Sequence, residues 1–408
     1  MSKTPQDAEM FKGSGNPILR RYDLDWLRVF AFGLLILFHT GMMFVSWEWH
    51  IKNPETSPAL EWVMQFLHEW RMPLLFFISG GAVWFAMEKY PLRAYVRERF
   101  VRLAVPLIVG MLVVIPPQLY FERCFQGWDY GSVWAFYPTI FTSGPYPQGN
   151  LTWHHLWYLP YILAYSLMLL PVCLWLRSGR GRLLLARLRG FLTRPGALVL
   201  LALPVAVSDV LLRPYWPWDH HTLIDDWANF ASKALVFLSG FVLCSGEEVW
   251  AAVERDRFRA LGLGVVTIGG LFYCWYSPWE FHGLALGAYR VLRALNVWCW
   301  LLALLGLGRR HLRFNHPFLK YATEAVYPWY ILHQTVIVAI GYYVTGWNLG
   351  LWSKFAVVAV AMIIVTGGLY EFVIRRIPWL RPLFGLKIRP GSAGRRPVVP
   401  RCAPAAGR

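Results

Sequence analysis

The sequence has few charged residues, only 15% of its 408 positions, whereas about a quarter of a typical soluble domain is charged. Its six cysteines include no close pair, so no disulfide framework or cysteine-ligated metal site is indicated. Acidic residues are also scarce, with 23 Asp and Glu beside 40 Lys and Arg and a net charge of +17. In their place, 57% of the residues are hydrophobic and 17% are aromatic. This composition excludes a disordered or collagen-like chain and argues against an ordinary cytosolic enzyme.

Long apolar runs recur along the whole chain. A transmembrane helix needs about 20 mainly apolar residues, and ten segments meet or approach that length. The first twenty residues are polar, so we expect no secretory signal peptide ahead of them. The sequence therefore predicts an all-α integral membrane protein with about ten transmembrane helices in a lipid bilayer. The predicted spans are 26–47, 60–87, 103–121, 156–176, 197–212, 227–245, 260–277, 285–307, 318–343 and 352–373.

The basic residues predict the orientation of these spans. With the N-terminus inside, 31 of the 40 Lys and Arg residues fall in inner segments, three in outer loops and six in or beside spans. Lys and Arg mark cytoplasmic loops, so both termini are predicted to be cytoplasmic. Positive charge spread over inner loops also argues against nucleic-acid binding. We divide the chain into a cytoplasmic tail (1–24), a ten-helix membrane domain (25–373) and a basic cytoplasmic tail (374–408) with a disordered end.

The first span carries ionisable residues at a helical spacing. Arg28 and His39 are eleven residues apart, which is close to three turns, so both lie on one helix face about 16 Å apart. Asp25 precedes Arg28 by three residues and can pair with it or cap the helix start. Ionisable residues inside a membrane are costly and usually functional. Arg28 alone is readily explained as an inner anchor, but the pair on one stripe favours a functional role.

The second span places Arg71 near mid-bilayer, at a depth close to that of His39. Glu69 is two residues away, and residues two apart do not face each other on a helix. Arg71 is therefore predicted to be functional, whereas the role of Glu69 is left open. The roles of three other cations in or beside spans are open too: Lys233, Arg290 and Arg293.

The ninth span carries Glu324, Tyr327, Tyr330 and His333 at three-residue steps. Such steps drift backwards around a helix, so Glu324 and His333 are predicted to lie on opposite sides unless Pro328 kinks the helix. The tyrosines also fit ordinary packing or an interfacial belt, but His333 lies deep enough to need a functional explanation. We include Glu324, Tyr330 and His333, with Asp25, among the candidate site residues.

Taken in order, these residues resemble the membrane acyltransferase 3 family, and within it the branch of glucan biosynthesis protein C-like proteins. The resemblance covers spans one to four and nine, and the ordered set is more specific than any single motif. The matching elements are Leu24-Asp-Trp-Leu-Arg28 with His39, Arg71 before a Phe-Phe-Ile-Ser-Gly run, Arg99-x-x-Arg102-x-x-x-Pro106, His155-Leu-Trp157-Tyr-Leu159 and Tyr327-x-x-Tyr330-x-x-His333.

The resemblance implies transfer of an acyl group, succinyl or acetyl, from cytosolic acyl-CoA to a hydroxyl of a carbohydrate such as a periplasmic glucan. Acyl-CoA is then a co-substrate, and no permanently bound cofactor is expected. The implied location is a bacterial inner membrane. By the same resemblance His39 is the catalytic histidine, Arg28, Arg99 and Arg102 hold the donor, and Trp157 is a functionally important aromatic residue.

The chemistry of the residues fits this expectation. Guanidinium groups bind phosphate, as the head of acyl-CoA requires, and a neutral imidazole suits a general base. Arg71 would stabilise charge on the thioester oxygen or hold an acyl carboxylate. A covalent acyl-histidine is an alternative route. The adjacent histidines at 154–155 and 220–221 lack metal-ligand spacing, so no metal is predicted.

A second class of function is also compatible with buried Arg, His and Glu residues, namely a transporter or flippase for a glycan or small anion. The Arg-x-x-Arg element beside the Arg28–His39 stripe favours the enzyme, because a proton-coupled carrier has no need of it. The oligomeric state is not encoded in any pattern that we recognise.

Overall fold

The computed structural model describes residues 20–388, and this part of the chain is helical, without β-strands. Apolar runs long enough to cross a bilayer form helices there, because a helix satisfies the hydrogen bonds of its backbone polar groups within its own segment. Short helices occupy Val133–Phe136, Thr139–Thr142 and Leu380–Leu383. The main helices are α1 (Tyr22–Gly41), α2 (Pro58–Lys89), α3 (Leu92–Phe125), α4 (Tyr158–Met168), α5 (Leu170–Leu176), α6 (Gly179–Leu192), α7 (Ala197–Leu212), α8 (Trp227–Leu243), α9 (Glu247–Tyr276), α10 (Gly283–His311), α11 (Pro317–Val344) and α12 (Leu351–Ile374).

Each of the ten predicted spans coincides with a helix or a bent helix pair, which confirms an all-α membrane protein. By length and composition, six helices within residues 20–388 can cross a membrane, and a seventh span results if the 49° bend between α4 and α5 lies within one crossing. Helices α7 and α8 are shorter, at 10–17 residues. The count of ten and the cytoplasmic position of both termini therefore stay predictions.

Some predicted inner loops are helical. Helix α9 begins at Glu247, well before the predicted span start at 260, and α6 fills most of the predicted loop 177–196. Helix α1 begins at Tyr22, so Asp25 lies inside the helix and does not cap it. The predicted tail also starts as ordered structure, because Arg381 is buried on the short helix Leu380–Leu383. The disordered end that we predict beyond 388 lies outside the described residues.

Helices α2 and α8 cross in very close contact through glycines. A Cβ atom on Gly80 would lie 1.7 Å from the Phe237 carbonyl oxygen, and one on Gly240 would lie 1.9 Å from the Phe77 carbonyl oxygen. Small residues at such crossings let two backbones approach and gain dispersion contacts. This crossing holds α2, which carries Arg71, against α8, which carries Lys233.

Helix α3 contains π-helical turns at Phe100–Ala104 and Gly110–Val114, and α12 ends in another at Leu369–Ile374. Turns of this kind are rare overall, and those that do occur are often found near functional sites. The first one carries Arg102, and the carbonyl of Arg102 accepts a hydrogen bond from the Tyr327 hydroxyl at 2.6 Å. The turn thus connects the Arg-x-x-Arg element to α11.

Candidate active site

A contact between two histidine side chains joins α1 to α11. His39 Nδ1 lies 2.7 Å from His333 Nε2, and the two rings are nearly parallel, with centroids 5.0 Å apart and planes 4° apart. His333 is fully buried, and His39 is partly exposed to a cavity. The structure therefore pairs two histidines that the sequence places 294 residues apart.

The hydrogen-bond partners determine the tautomer of each ring. His333 Nδ1 lies 2.7 Å from the Tyr330 carbonyl oxygen and 3.2 Å from that of Trp329. A carbonyl oxygen only accepts, so His333 carries its proton on Nδ1 and leaves Nε2 as an acceptor. His39 must then donate its Nδ1 proton to that acceptor. Neutral His39 consequently keeps an unprotonated Nε2, the form in which an imidazole acts as a base.

A third histidine packs against this pair. The rings of His155 and His333 are edge to face with centroids 5.2 Å apart, and His155 Nε2 donates to the Ile331 carbonyl at 3.0 Å. The Tyr330 hydroxyl donates to the His155 carbonyl at 2.6 Å. These bonds join the segment that opens α4 to the turn of α11 that carries His333, and so they hold His333 in place.

Arg71 is a buried cation that has no ion-pair partner among the described residues. Its side chain lies across the Phe38 ring, with the guanidinium carbon 3.7 Å from the ring centroid. The atoms Nε and Nη1 are buried and have no hydrogen-bond partner, and no carboxylate within residues 20–388 lies at salt-bridge distance. Burial of an unpaired charge is expensive, so Arg71 is suited to bind an anionic or strongly polar group of a ligand.

His39 and Arg71 line the same cavity, which has a volume of about 180 Å³. Trp157 and Tyr330 form another part of its wall. The Trp157 ring packs on His221 with centroids 4.0 Å apart, whereas Tyr330 is buried beside Phe32 at 5.5 Å. The structure thus brings together His39, Arg71, Trp157, Tyr330 and, behind them, His333.

The cavity wall toward the predicted outer side is charged. Arg213 pairs with Asp219 at 2.5 Å and approaches Asp209 at 3.6 Å. Arg293 Nε lies 3.1 and 3.2 Å from the two carboxylate oxygens of Glu69, so Glu69 pairs with α10 and not with Arg71. Lys233 lines the same wall, without a carboxylate within salt-bridge distance in the described chain. Arg290, by contrast, donates to the Val210 carbonyl at 3.4 Å.

Two groups in the loop before α8, which is predicted to lie outside, have displaced pKa values. Burial raises the pKa of the Asp219 carboxyl, but the charges of Arg213 and Lys233 outweigh it and hold that pKa well below its usual range. Burial lowers the pKa of His221 to about 4, although Asp219 acts in the opposite direction. At neutral pH the wall therefore presents an ionised carboxylate and a neutral imidazole, which accept and donate hydrogen bonds.

The predicted donor-binding arginines lie apart from this cavity. Arg99 and Arg102 both contact Glu98, at 3.0 and 3.1 Å, and Arg28 pairs with Asp25 at 3.4 Å. Arg102 is about half exposed, whereas Arg99 is mostly covered. None of these residues lines the cavity. Arg28 lies in the first half of α1 and His39 in its last turn, and Arg99 and Arg102 lie in the first third of α3.

Glu324 points away from the histidine pair. It accepts a hydrogen bond from Arg381 of the C-terminal segment at 2.7 Å, while His333 on the same helix reaches His39. The predicted opposite placement of Glu324 and His333 therefore matches the observed contacts. Glu324 connects the membrane helices to the C-terminal segment and is not part of the cavity wall.

Sequence reasoning missed several cavity residues. Four charged residues that line the cavity wall are not among the site residues predicted from sequence: Asp209, Arg213, Asp219 and Lys233. Asp209 and Lys233 lie in predicted spans, and the rule that intramembrane charges mark function would have selected both. His155 was recognised only as part of a motif, because its contact with His333 depends on how α4 packs against α11.

Comparison with known proteins agrees with this geometry. The family model of the acyltransferase domain (acyltransferase 3) matches residues 21–371, most of the chain. The protein named Glucans biosynthesis protein C from Escherichia coli K12 is 22% identical over 399 residues, which cover 91% of this chain and 96% of the relative. Its namesake in E. coli O139:H28 is 22% identical over 398 residues, with the same coverage. No solved structure matches.

The matched range contains the cavity, the histidine pair and the Arg-x-x-Arg element. The relatives match over nearly their whole length, so the similarity is not confined to one motif. This chain belongs to the acyltransferase 3 family of multi-span membrane acyltransferases.

Proposed function

We propose that the protein transfers an acyl group, succinyl or acetyl, from cytosolic acyl-CoA to a hydroxyl of a periplasmic glucan, with His39 as the general base. The observation that carries the proposal is the 2.7 Å contact between His39 and His333. It leaves His39 with an unprotonated Nε2 on a cavity wall that also holds the unpaired Arg71. A base and an unpaired cation in one cavity match the needs of acyl transfer.

The proposed step starts when the acceptor hydroxyl gives its proton to His39 Nε2. The hydroxyl oxygen attacks the thioester carbon, and the carbon–oxygen double bond opens to an oxyanion. Arg71 donates hydrogen bonds to that oxyanion. The intermediate collapses, the carbon–sulfur bond breaks, and the proton on His39 passes to the departing CoA thiolate. Electrons and protons balance, and no cofactor besides acyl-CoA is required.

His333 has a positioning role in this scheme. It touches neither substrate, but its Nε2 accepts the Nδ1 proton of His39 and so keeps the lone pair on the other nitrogen. The same contact stabilises the imidazolium formed during the step, since His333 remains a neutral acceptor. Catalytic triads use a carboxylate for this orienting role.

The donor head would bind at the opposite end of the helices. Arg28, Arg99 and Arg102 supply guanidinium groups for phosphate oxygens, and Glu98 holds two of them in place. The predicted topology puts these residues on the cytoplasmic side, where acyl-CoA is made. The acyl arm would run along α1 toward His39, about 16 Å away by helical rise.

The charged outer wall of the cavity would bind the acceptor. Trp157 offers an aromatic face to a sugar ring, and Asp219 and His221 offer partners to its hydroxyls. The relatives named Glucans biosynthesis protein C support a glucan as the acceptor. We place the protein in the cytoplasmic membrane of a bacterium, with this wall toward the periplasm.

Mass spectrometry of periplasmic glycans from cells with and without the gene tests this function. The proposal predicts glycans heavier by one or more acyl groups only when the gene is present, and the mass increment names the group. Identical glycan masses in both strains, with the protein present in the membrane, would refute it.

A further inference from the structure

A second cluster of ligand-type side chains lies at the outer end of the helices, where the predicted spans meet the outer loops. His50 belongs to the loop after α1, Glu122 to the last turns of α3, and His154 to the segment before α4. Their nitrogen and oxygen atoms all lie within 4.8 Å of one another. His50 Nδ1 is 2.7 Å from Glu122 Oε2, and His154 Nε2 is 3.7 Å from the same oxygen.

Glu122 is a buried carboxylate without an Arg or Lys partner in the described chain. Only 1% of its surface is exposed, and its contacts are His50, His154, Gln126 and the hydroxyl of Tyr146 at 3.0 Å. The neighbouring Arg123 turns away, because its guanidinium donates to Asn150 and to the Pro147 and Gly149 carbonyls. A buried negative charge is costly unless a positive charge compensates it.

His154 supplies an independent indication of a ligand. Its side chain is only 6% exposed, yet the buried Nε2 has no hydrogen-bond partner among residues 20–388 and lies 3.7 Å from the Glu122 carboxylate. The backbone of His154 adopts a φ of +36°, in the left-handed region that a non-glycine residue rarely enters. Strain of this kind persists where the surroundings impose it, often at a site that a ligand uses.

We propose that His50, Glu122 and His154 bind a divalent transition-metal ion, with Zn²⁺ as the best match. Two imidazole nitrogens and one carboxylate oxygen form a donor set that Zn²⁺ accepts readily. The ion supplies the positive charge that Glu122 lacks and a partner for the orphaned Nε2 of His154.

The surroundings of His50 are compatible with this role. When Nδ1 of His50 binds the ion, the ring proton resides on Nε2, which lies 2.9 Å from the Gln334 side-chain amide. A side-chain amide donates from one end and accepts at the other, so Gln334 accepts that proton once its amide is turned over. An outer contact that orients a ligating imidazole in this way is the usual companion of a metal site.

The ion would tie three outer segments together beside the active site. Gln334 directly follows His333 in α11, and the Trp49 ring lies 6.4 Å from His39 and 5.1 Å from His50, centroid to centroid. We assign the ion a structural role in holding these segments. The adjacent histidines at 154–155 and 220–221 do not indicate this site by their spacing, because the proposed donors come from three separate segments.

The experiment measures metal content on the whole protein, purified in detergent without chelators. We expect about one Zn²⁺ per chain by inductively coupled plasma mass spectrometry. After EDTA treatment the melting temperature should fall, and Zn²⁺ alone should restore it. Co²⁺ added to the stripped protein should give visible d–d absorption that saturates near one equivalent.

Two substitutions locate the ion. His154→Gln and Glu122→Gln should each weaken Zn²⁺ binding at least tenfold, since loss of even an outer contact costs about 10- to 100-fold. Glu122→Gln keeps a side-chain oxygen that accepts hydrogen bonds from His50 and Tyr146, so this variant should fold. It therefore still tests the site if His154→Gln fails to fold. The matched control is His220→Gln, an exposed histidine of another outer loop, which should bind Zn²⁺ as the unchanged protein does.

Two results would overturn the proposal. One is that the stripped, folded protein binds neither Zn²⁺ nor Co²⁺ near one equivalent. The other is that both Gln variants bind as tightly as the His220→Gln control. Because the readout is metal content, a protein that transfers acyl groups but binds neither ion would refute this inference and leave the proposed function standing.

Discussion

Substitution of His333 distinguishes a role in positioning the His39 ring from a role in helix packing alone. His333→Ala removes the acceptor of the His39 Nδ1 proton, a contact of 2.7 Å between two largely enclosed rings. Without it, His39 Nδ1–H is left unpaired, or the ring takes the other tautomer and presents a protonated Nε2 to the acceptor hydroxyl. Either outcome weakens the base without altering the groups proposed to bind the donor or the acceptor.

The magnitude follows from the cost of an unpaired buried donor, which is about 1–3 kcal/mol. At about 1.36 kcal/mol for each factor of ten in rate, this predicts a fall in kcat of roughly 5- to 150-fold. KM for either substrate should stay nearly constant, because the interaction is needed for the chemical step and not for binding. A packing defect would instead lower protein yield and melting temperature together with kcat.

The assay measures acyl transfer from labelled acyl-CoA to purified glucan by protein reconstituted in liposomes. His333→Gln is the informative companion, because its amide oxygen can occupy the place of the His333 Nε2 acceptor and should recover part of the lost kcat. His311→Ala, at the exposed C-terminal end of α10, is the matched control and should leave kcat unchanged. A folded His333→Ala protein with the kcat of the unchanged protein would refute the positioning role.

Three further predictions address the cavity and the proposed donor-binding arginines. Arg71→Met should lower kcat about 10²- to 10³-fold, as loss of an oxyanion donor does elsewhere, with Arg71→Lys partly active, and steady-state kinetics of both variants measures it. Arg99→Ala and Arg102→Ala should raise KM for acyl-CoA more than KM for glucan; an unchanged KM for acyl-CoA would count against donor binding by these arginines. Burial holds the pKa of His221 in the folded protein at about 4, below the 6.5 of a free histidine. Between pH 4 and 6.5, His221 is therefore protonated in the unfolded chain but not in the folded one. Stability should therefore fall as pH decreases from 6.5 to 4, and His221→Gln should reduce that fall in melting temperature.

Much of the helical organisation was accessible from apolar length and charge. A run such as 26–47 has no stable alternative to a helix in a bilayer, and α1 does run without a break from Tyr22 to Gly41. Helix ends were less predictable where polar residues extend a helix beyond its apolar run. Glu247 begins α9 although the following turns are charged, because tertiary packing and not hydropathy holds them.

The site was partly predictable for a related reason. Arg71, His39 and His333 were selected as costly charges or deep histidines within apolar spans, and all three lie at or against one cavity. The contacts among these residues could not be derived from the sequence. The spacing of residues along a helix shows which face each one occupies, but not which other helix that face contacts. The pairing of His39 with His333 needed the packing of α1 on α11.

The outer cluster shows the same limit more sharply. His50 and Glu122 are 72 residues apart, and neither lies in a recognisable metal motif. Their proximity depends on how the loop after α1 folds over the end of α3, a contact without any local periodicity. Local spacing therefore identifies sites within one helix and misses those assembled from loops.

The central claim is that His39 is the base of an acyl-transfer reaction. The most direct test compares the unchanged protein with His39→Ala in liposomes that contain acyl-CoA and periplasmic glucan, with mass spectrometry of the glucan as the readout. The account predicts an acylated glucan from the unchanged protein and at least about a 100-fold lower rate from the variant, at equal membrane insertion and melting temperature. Acylation by the variant at the rate of the unchanged protein would contradict the account.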